Sequence, residues 1–382
     1  MTWLPKAVVT IGASTYQDDA LAGLTINYGR TNVWEQARSG YATINILNTA
    51  NTNNTYEVND AVTITIEDSS GNDVTIFTGK LREITAQMVA VGNSSKVAVE
   101  TLVAVSVLSE MARVVVGTST YAKQYEGARI SAILTQAGVA VDVVDSGVYE
   151  LTARAVSPTD AYSLAASYAQ MCFGYIYETT SGEVGYANES RRTLDAQTNG
   201  YLTIDEDAIL WQGISSNRSF NDITNDVLLS YKNQQTVTSS SAASIATYGT
   251  LSASIATELE QGAEAQLNAD RYVALRAYPQ TSVSSFVVPI DSDNLTNALR
   301  DDLISIYMGL PIQVFNLPVP ISHVTYQAFV EGWSWNIKDK QAFLTIISTD
   351  STLSLAPTRW QDVSATLQWQ NVSPTLQWFA YE

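Results

Sequence analysis

Cysteine and histidine are almost missing, with one of each in 382 residues. Cys172 alone excludes an intrachain disulfide framework and any multi-cysteine metal site. His323 alone argues against a His-centred metal site or a His-based nucleophile triad, and no cofactor is expected. Basic residues are scarce too, 20 Lys and Arg against 38 Asp and Glu, for a net charge of −18. That balance argues against a protein that grips phosphates, though not against a surface past which DNA slides. No apolar run approaches a spanning helix, so no stable membrane insertion is expected, and the opening MTWLPKAVVT lacks the long apolar core of a signal peptide.

What is present is a globular composition, 46% hydrophobic, in a chain long enough for two or three domains. The organising stretch is residues 311–347. Ile312 and Val314 alternate with Gln313. Val324, Tyr326, Ala328 and Val330 hold one parity, whereas Trp333, Trp335 and Ile337 hold the other. The flip falls at Glu331 and Gly332, where one extra residue makes a β-bulge. A polar turn at Lys338, Asp339 and Lys340 leads into a third strand, 341–347. A similar pattern stands early in the chain. Residues 76–84 parallel 329–337, and 96–100 stand where 341–345 stand, so two antiparallel sheets of one design are expected.

The first sheet domain is assigned to residues 1–115, with strands from Val8, Leu24, Thr31 and Tyr41 onward. Residues 68–73, rich in oxygen ligands but without the EF-hand glycine and glutamate, read as a hairpin turn. Residues 116–200 change period and read as a small α/β module. Ile130, Ile133, Leu134 and Ala137 share one helix face that Gly138 ends. Ser157 and Pro158 read as the start of a second helix, with Ala161, Leu164, Ala165 and Tyr168 inward and Gly174 at its end. Strands 175–177 and 184–186 flank a turn at Ser181 and Gly182. Cys172 reads as a packing residue, because nothing nearby would activate its thiol. The second sheet domain, 201–350, carries a helical insertion at about 236–280. No charge occurs from 236 to 257, which reads as a flexible loop or a segment ordered by a partner. Thr257 and Glu260 have capping-box spacing for the helix that follows. The fold class is therefore mainly β with an α+β insertion.

Two features bear on function. Asp205, Glu206 and Asp207 are the densest acidic triplet, with Asp291 and Asp293 a second acidic loop. Paired carboxylates suit acid–base or metal chemistry, but no complementary basic, His or aromatic group accompanies them, and solvated loops are the expectation. In the C-terminal tail, 351–382, Trp360, Trp369 and Trp378 recur every nine residues within a repeated segment. Three buried indoles fall short of the entropy lost in ordering some twenty residues. The tail must also pair its backbone with a sheet edge, or dock on a neighbouring chain.

At this point the sequence resembles the minor tail, or baseplate hub, proteins of long-tailed bacteriophages. The resemblance rests on Tyr28, Gly29 and Arg30 with Trp34, Gly40 and Asn48; on Ile76, Phe77, Thr78 and Gly79; on Ser244, Ile245, Ala246, Thr247, Tyr248 and Gly249 with the alanine-rich run to Ala277, Tyr278 and Pro279; and on the spaced tryptophans. It implies two tail-tube-like antiparallel β-barrels, in place of simple sheets, and a homotrimeric ring. It implies contacts with the tail tube or distal tail protein, a tail-tip spike or fibre protein and the tape measure protein, with DNA only in transit. Such a protein belongs in the virion after assembly in the bacterial cytoplasm, and is not an enzyme. The acidic loops named above are then candidates to line the channel, and Trp360, Trp369 and Trp378 to dock on a partner. A carbohydrate-binding adhesin of the tail tip is the alternative, and it calls for exposed tryptophans beside polar residues on a groove. A cell-wall hydrolase would need a carboxylate pair in a cleft, and nothing resembles its signature.

Overall fold

The computed structural model describes residues 3–49, 54–88, 97–212, 214, 216–279, 282, 283, 285–318, 321, 325–338 and 340–353. His323 and the tail tryptophans Trp360, Trp369 and Trp378 lie outside the described residues.

Strict alternation builds the first set of strands: Ala7–Ile11, Ser14–Gln17, Leu21–Gly29, Arg38–Asn48, Ala61–Glu67, Asp73–Met88 and Ala98–Val105. Most bury one parity, as with Val9 and Ile11, Ile44 and Ile46, or Val62, Ile64 and Ile66, whereas Ser14–Gln17 buries no residue and Asp73–Met88 ends exposed. The expected turn at 68–73 is held by Asp68, whose carboxylate accepts from the Ser70 and Asn72 amides at 2.8 Å. The strand expected at Thr31 is a turn instead. There the Asn32 side chain accepts from the Trp34 amide at 2.9 Å, a local bond that competes with extension.

The second set is Leu202–Ile204, Ser285–Pro289, Pro311–Phe315, Thr325–Lys338 and Gln341–Asp350. Its spatial order can be read against the first. Arg38–Asn48, Ala98–Val105, Asp73–Met88, Ala61–Glu67 and Ala7–Ile11 lie side by side in that order. Ser285–Pro289, Gln341–Asp350, Thr325–Lys338, Pro311–Phe315 and Leu202–Ile204 repeat it, each strand holding the same rank in chain order. One pairing differs in direction. Ala7–Ile11 runs antiparallel to Ala61–Glu67, whereas Leu202–Ile204 runs parallel to Pro311–Phe315. The repeated design is thus a repeated order of five strands, to which the first half adds Ser14–Gln17 and Leu21–Gly29.

The two halves are not separate sheets. Residues 332–337 of the long Thr325–Lys338 strand pair antiparallel with residues 24–29, joining both halves into one sheet of twelve described strands. The seam is packed by Tyr28 and Trp333, stacked at 5.2 Å. Joining covers the Leu21–Gly29 edge of the first half and the part of Thr325–Lys338 that extends past Pro311–Phe315, both of which would otherwise offer unpaired backbone to other chains. Among the described residues no pairing closes either half into a barrel.

The α/β module packs helices Glu126–Ala137 and Ala161–Met171 beside a three-stranded sheet of Val141–Val144, Val184–Ala187 and Tyr175–Glu178. Gly138 ends the first helix in the left-handed conformation, φ 68°. The second helix starts three residues later than expected. Thr159 and Asp160 pair with Val116 and Val115 in extended form, and the Asp160 carboxylate caps the Ser163 amide at 2.7 Å. It also ends earlier, at Met171, with Phe173 taking the positive φ expected of Gly174. Cys172 is fully buried, and burial holds its thiol well above the usual range.

The uncharged stretch is not an irregular loop. Gln235–Ser240 and Ser252–Ala256 flank Asp226–Tyr231 in a three-stranded sheet, with helix Ala242–Tyr248 between them in sequence. Val227 and Leu229 bury one face of this sheet, beside helix Gly262–Arg276. That helix lacks the expected capping box, because the box residues are engaged elsewhere. Thr257 Oγ1 donates to the Ser230 carbonyl at 2.8 Å, and Glu260 pairs with Lys232. No helix among the described residues is long and apolar enough to cross a membrane.

Candidate functional site

Three parts of the molecule meet at the bulge. The register shifts between Val330 and Gly332, which turns Glu331 inward to full burial instead of letting it alternate outward. Its carboxylate receives Arg30 Nε at 2.6 Å from the first half, and Arg192 Nη1 and Nη2 at 2.7 and 2.8 Å from the module. The Tyr175 ring lies under both guanidiniums, 5.2 Å from Arg30 and 4.8 Å from Arg192. Burial alone would raise the Glu331 carboxyl, but the two arginines outweigh it and hold the group below its ordinary range. The backbone closes in to match. Gly29, at φ 85°, faces the Glu331 carbonyl where any Cβ would collide, and a Cβ on Gly332 would stand 2.6 Å from the Tyr28 carbonyl.

Two further buried carboxylates bind the module to its neighbours. Glu178 accepts from the Gly40 amide, the Ser106 hydroxyl and the Leu108 amide, all in the first half. Burial pushes its carboxyl up to about 7, against the pull of those three donors. Glu189 takes the Tyr149 hydroxyl at 2.8 Å and pairs with Arg271 of helix Gly262–Arg276. Sequence reading located the bulge at Glu331 but missed the charge it carries inward. A lone glutamate inside an apolar strand, at the point where parity flips, was the available signal.

Beside this junction lies a cavity of about 400 Å³, with Arg192, Arg271 and Arg276 on its walls together with Trp34 and Tyr272. Cations thus concentrate here in a chain that is acidic overall.

The acidic candidates lie elsewhere. Asp205 precedes the short 3₁₀ turn Glu206–Ala208, and Asn294 Nδ2 donates to the Asp207 carbonyl at 3.0 Å. The structure therefore brings Asp205, Glu206 and Asp207 beside the loop bearing Asp291 and Asp293. Asp205, Asp207 and Asp293 are exposed. No metal-ligating cluster occurs among the described residues. Trp211 is an exposed indole here, 53% accessible, with its Nε1 on the Glu206 carbonyl. Trp333 and Trp335 are core residues.

No protein-family model matches the chain, and no curated protein sequence matches it. Solved structures do. A 43 kDa tail protein of prophage MuSo2 from Shewanella oneidensis superposes with a TM-score of 0.63 at 11% identity, covering 91% of this chain and 99% of its own. A tail protein from Neisseria meningitidis MC58 gives 0.65 at 9% identity, covering 93% and 100%. The E. coli c3393 protein, a type VI secretion component described as similar to the T4 tail proteins gp27 and gp5, gives 0.51 at 10% identity, covering 92% and 79%. At such identities the likeness is one of fold, and it runs the length of the described chain.

Proposed function

We propose that this chain is a structural hub subunit of a phage-type tail, not an enzyme. Three copies form a ring at the distal end of the tail tube, each presenting its two repeated halves as tube-like barrels. The carrying observation is the repeated strand order joined through one seam, in a chain that superposes along nearly its whole length on phage tail proteins. A duplicated half lets a threefold ring offer six similar units to a sixfold tube, a symmetry match that needs no new fold. The domains are the first half at 1–115, the module at 116–200, the second half at 201–350 and the tail at 351–382. The partners are the tail tube or distal tail protein above, a spike or fibre protein below, and the tape measure protein in the bore. The tail tryptophans dock on a neighbouring chain, and the protein resides in the virion after assembly in the host cytoplasm.

Charge gives the ring its second property. Three copies carry 3 × −18, or −54, formal charges. Carboxylates along the bore repel phosphate and give no counterion-release gain, so DNA passes without being held. The adjoining loops of Asp205, Glu206 and Asp207 and of Asp291 and Asp293 are the proposed lining. A reconstruction of the assembled tail tip tests both points. Three copies around a bore of negative potential are expected, whereas a neutral or positive bore, with these loops on the outer wall, overturns the sliding surface.

A further inference from the structure

The cavity beside the charge junction continues into a smaller one of about 210 Å³, and Val33, Trp34, Leu275, Arg276 and Leu353 line both. Three features of this groove are left open. Arg276 stacks on Trp34 at 3.7 Å and Tyr272 at 4.1 Å, yet it forms no ion pair among the described residues, and its Nε is buried without a hydrogen-bond partner. Ile255 and Ala256, also on the wall, belong to strand Ser252–Ala256, which pairs on one edge only among the described strands. Leu353, the residue to which the C-terminal repeats are tethered, is itself part of the wall.

The sequence that follows Leu353 fits these features. Trp360 comes seven residues later, a reach of up to about 25 Å in extended form, enough to cross a groove that begins at Leu353. In a strand, Trp360 and Asp362 fall on the same face. The corresponding positions of the later repeats pair Trp369 with Asn371 and Trp378 with Ala380, so the indole-plus-carboxylate face occurs in the first repeat alone.

We propose that residues 354–382 of the same chain seat their first repeat in this groove, adding a strand to the open Ser252–Ala256 edge and turning Trp360 and Asp362 toward Arg276. The indole extends the aromatic and guanidinium stack, and the carboxylate supplies the direct ion pair that Asp222, on the same groove wall and acting on Arg276 only through its field, does not make. Backbone pairing supplies what indole burial cannot, and tethering at Leu353 makes the encounter intramolecular. The inference goes beyond the hub reading and stands without it. It assigns Trp360 inward and leaves Trp369 and Trp378 to a partner.

Hydrogen exchange of the Ser252–Ala256 amides in the purified full-length chain tests it. Exchange is expected to be at least about tenfold slower than in the W360A/D362N double variant, a difference that reads local opening directly. Trp369→Ala is expected to leave that protection unchanged, and the protection should not vary on dilution. Equal exchange in the wild-type chain and the double variant overturns the proposal. Loss of protection in Trp369→Ala overturns the choice of the first repeat. Protection that fades on dilution overturns the same-chain assignment in favour of a neighbouring copy.

Discussion

Glu178 shows how one buried side chain ties a module to a sheet with a pH-dependent strength. Its folded carboxyl sits at about 7, above the ordinary 4.5. The folded state therefore binds the proton more tightly than the unfolded chain. The associated stability is fully present below the ordinary value and is lost as pH rises toward 7. The gap corresponds to about 3 kcal/mol. Glu178→Gln, neutral at every pH, is expected to remove a fall of roughly that size from the stability profile between pH 4.5 and 7.5. Urea unfolding of both proteins across that range reads it. Parallel profiles for the two proteins would show that Glu178 ionises freely in the fold.

At the scale of elements, the seam between the two halves is held by a strand that bulges. A residue that alternation would point outward is turned in, and its charge draws Arg30 and Arg192 from the first half and the module to one point. Removing that carboxylate leaves two buried guanidiniums unpaired, so Glu331→Ala is expected to cost about 3–5 kcal/mol. Chemical denaturation measures it, and a loss below about 1 kcal/mol, the range of a surface pair, would show that the junction is solvated. Much of the element pattern was legible in the sequence. Alternation gave the strands, the parity flip at Glu331 and Gly332 gave the bulge, and the similarity of 76–84 to 329–337 gave the repeat. The partners of Glu331 were not legible, because Arg30 lies 301 residues away and only the fold brings it near. Local competition hid other details. Asp160 out-caps Ser157 because residues 159 and 160 are drawn into a strand pair. The uncharged stretch 236–257 looked unstructured because Ser and Thr rows give a weak apolar signal. Yet Val237, Ala253 and Ile255 pack with the core beside Val227 and Leu229.

At the scale of the whole molecule, two strand sets of one order share a sheet, and buried carboxylates bind the module to its neighbours. Four of the arginines of this acidic chain gather around the groove at Leu353. If the proposed threefold ring forms, the mass of the purified chain in solution shows it. A species of three times the 41.5 kDa chain is expected, alone or on addition of tail-tube protein. A monomeric mass at every concentration, with and without that protein, would contradict it.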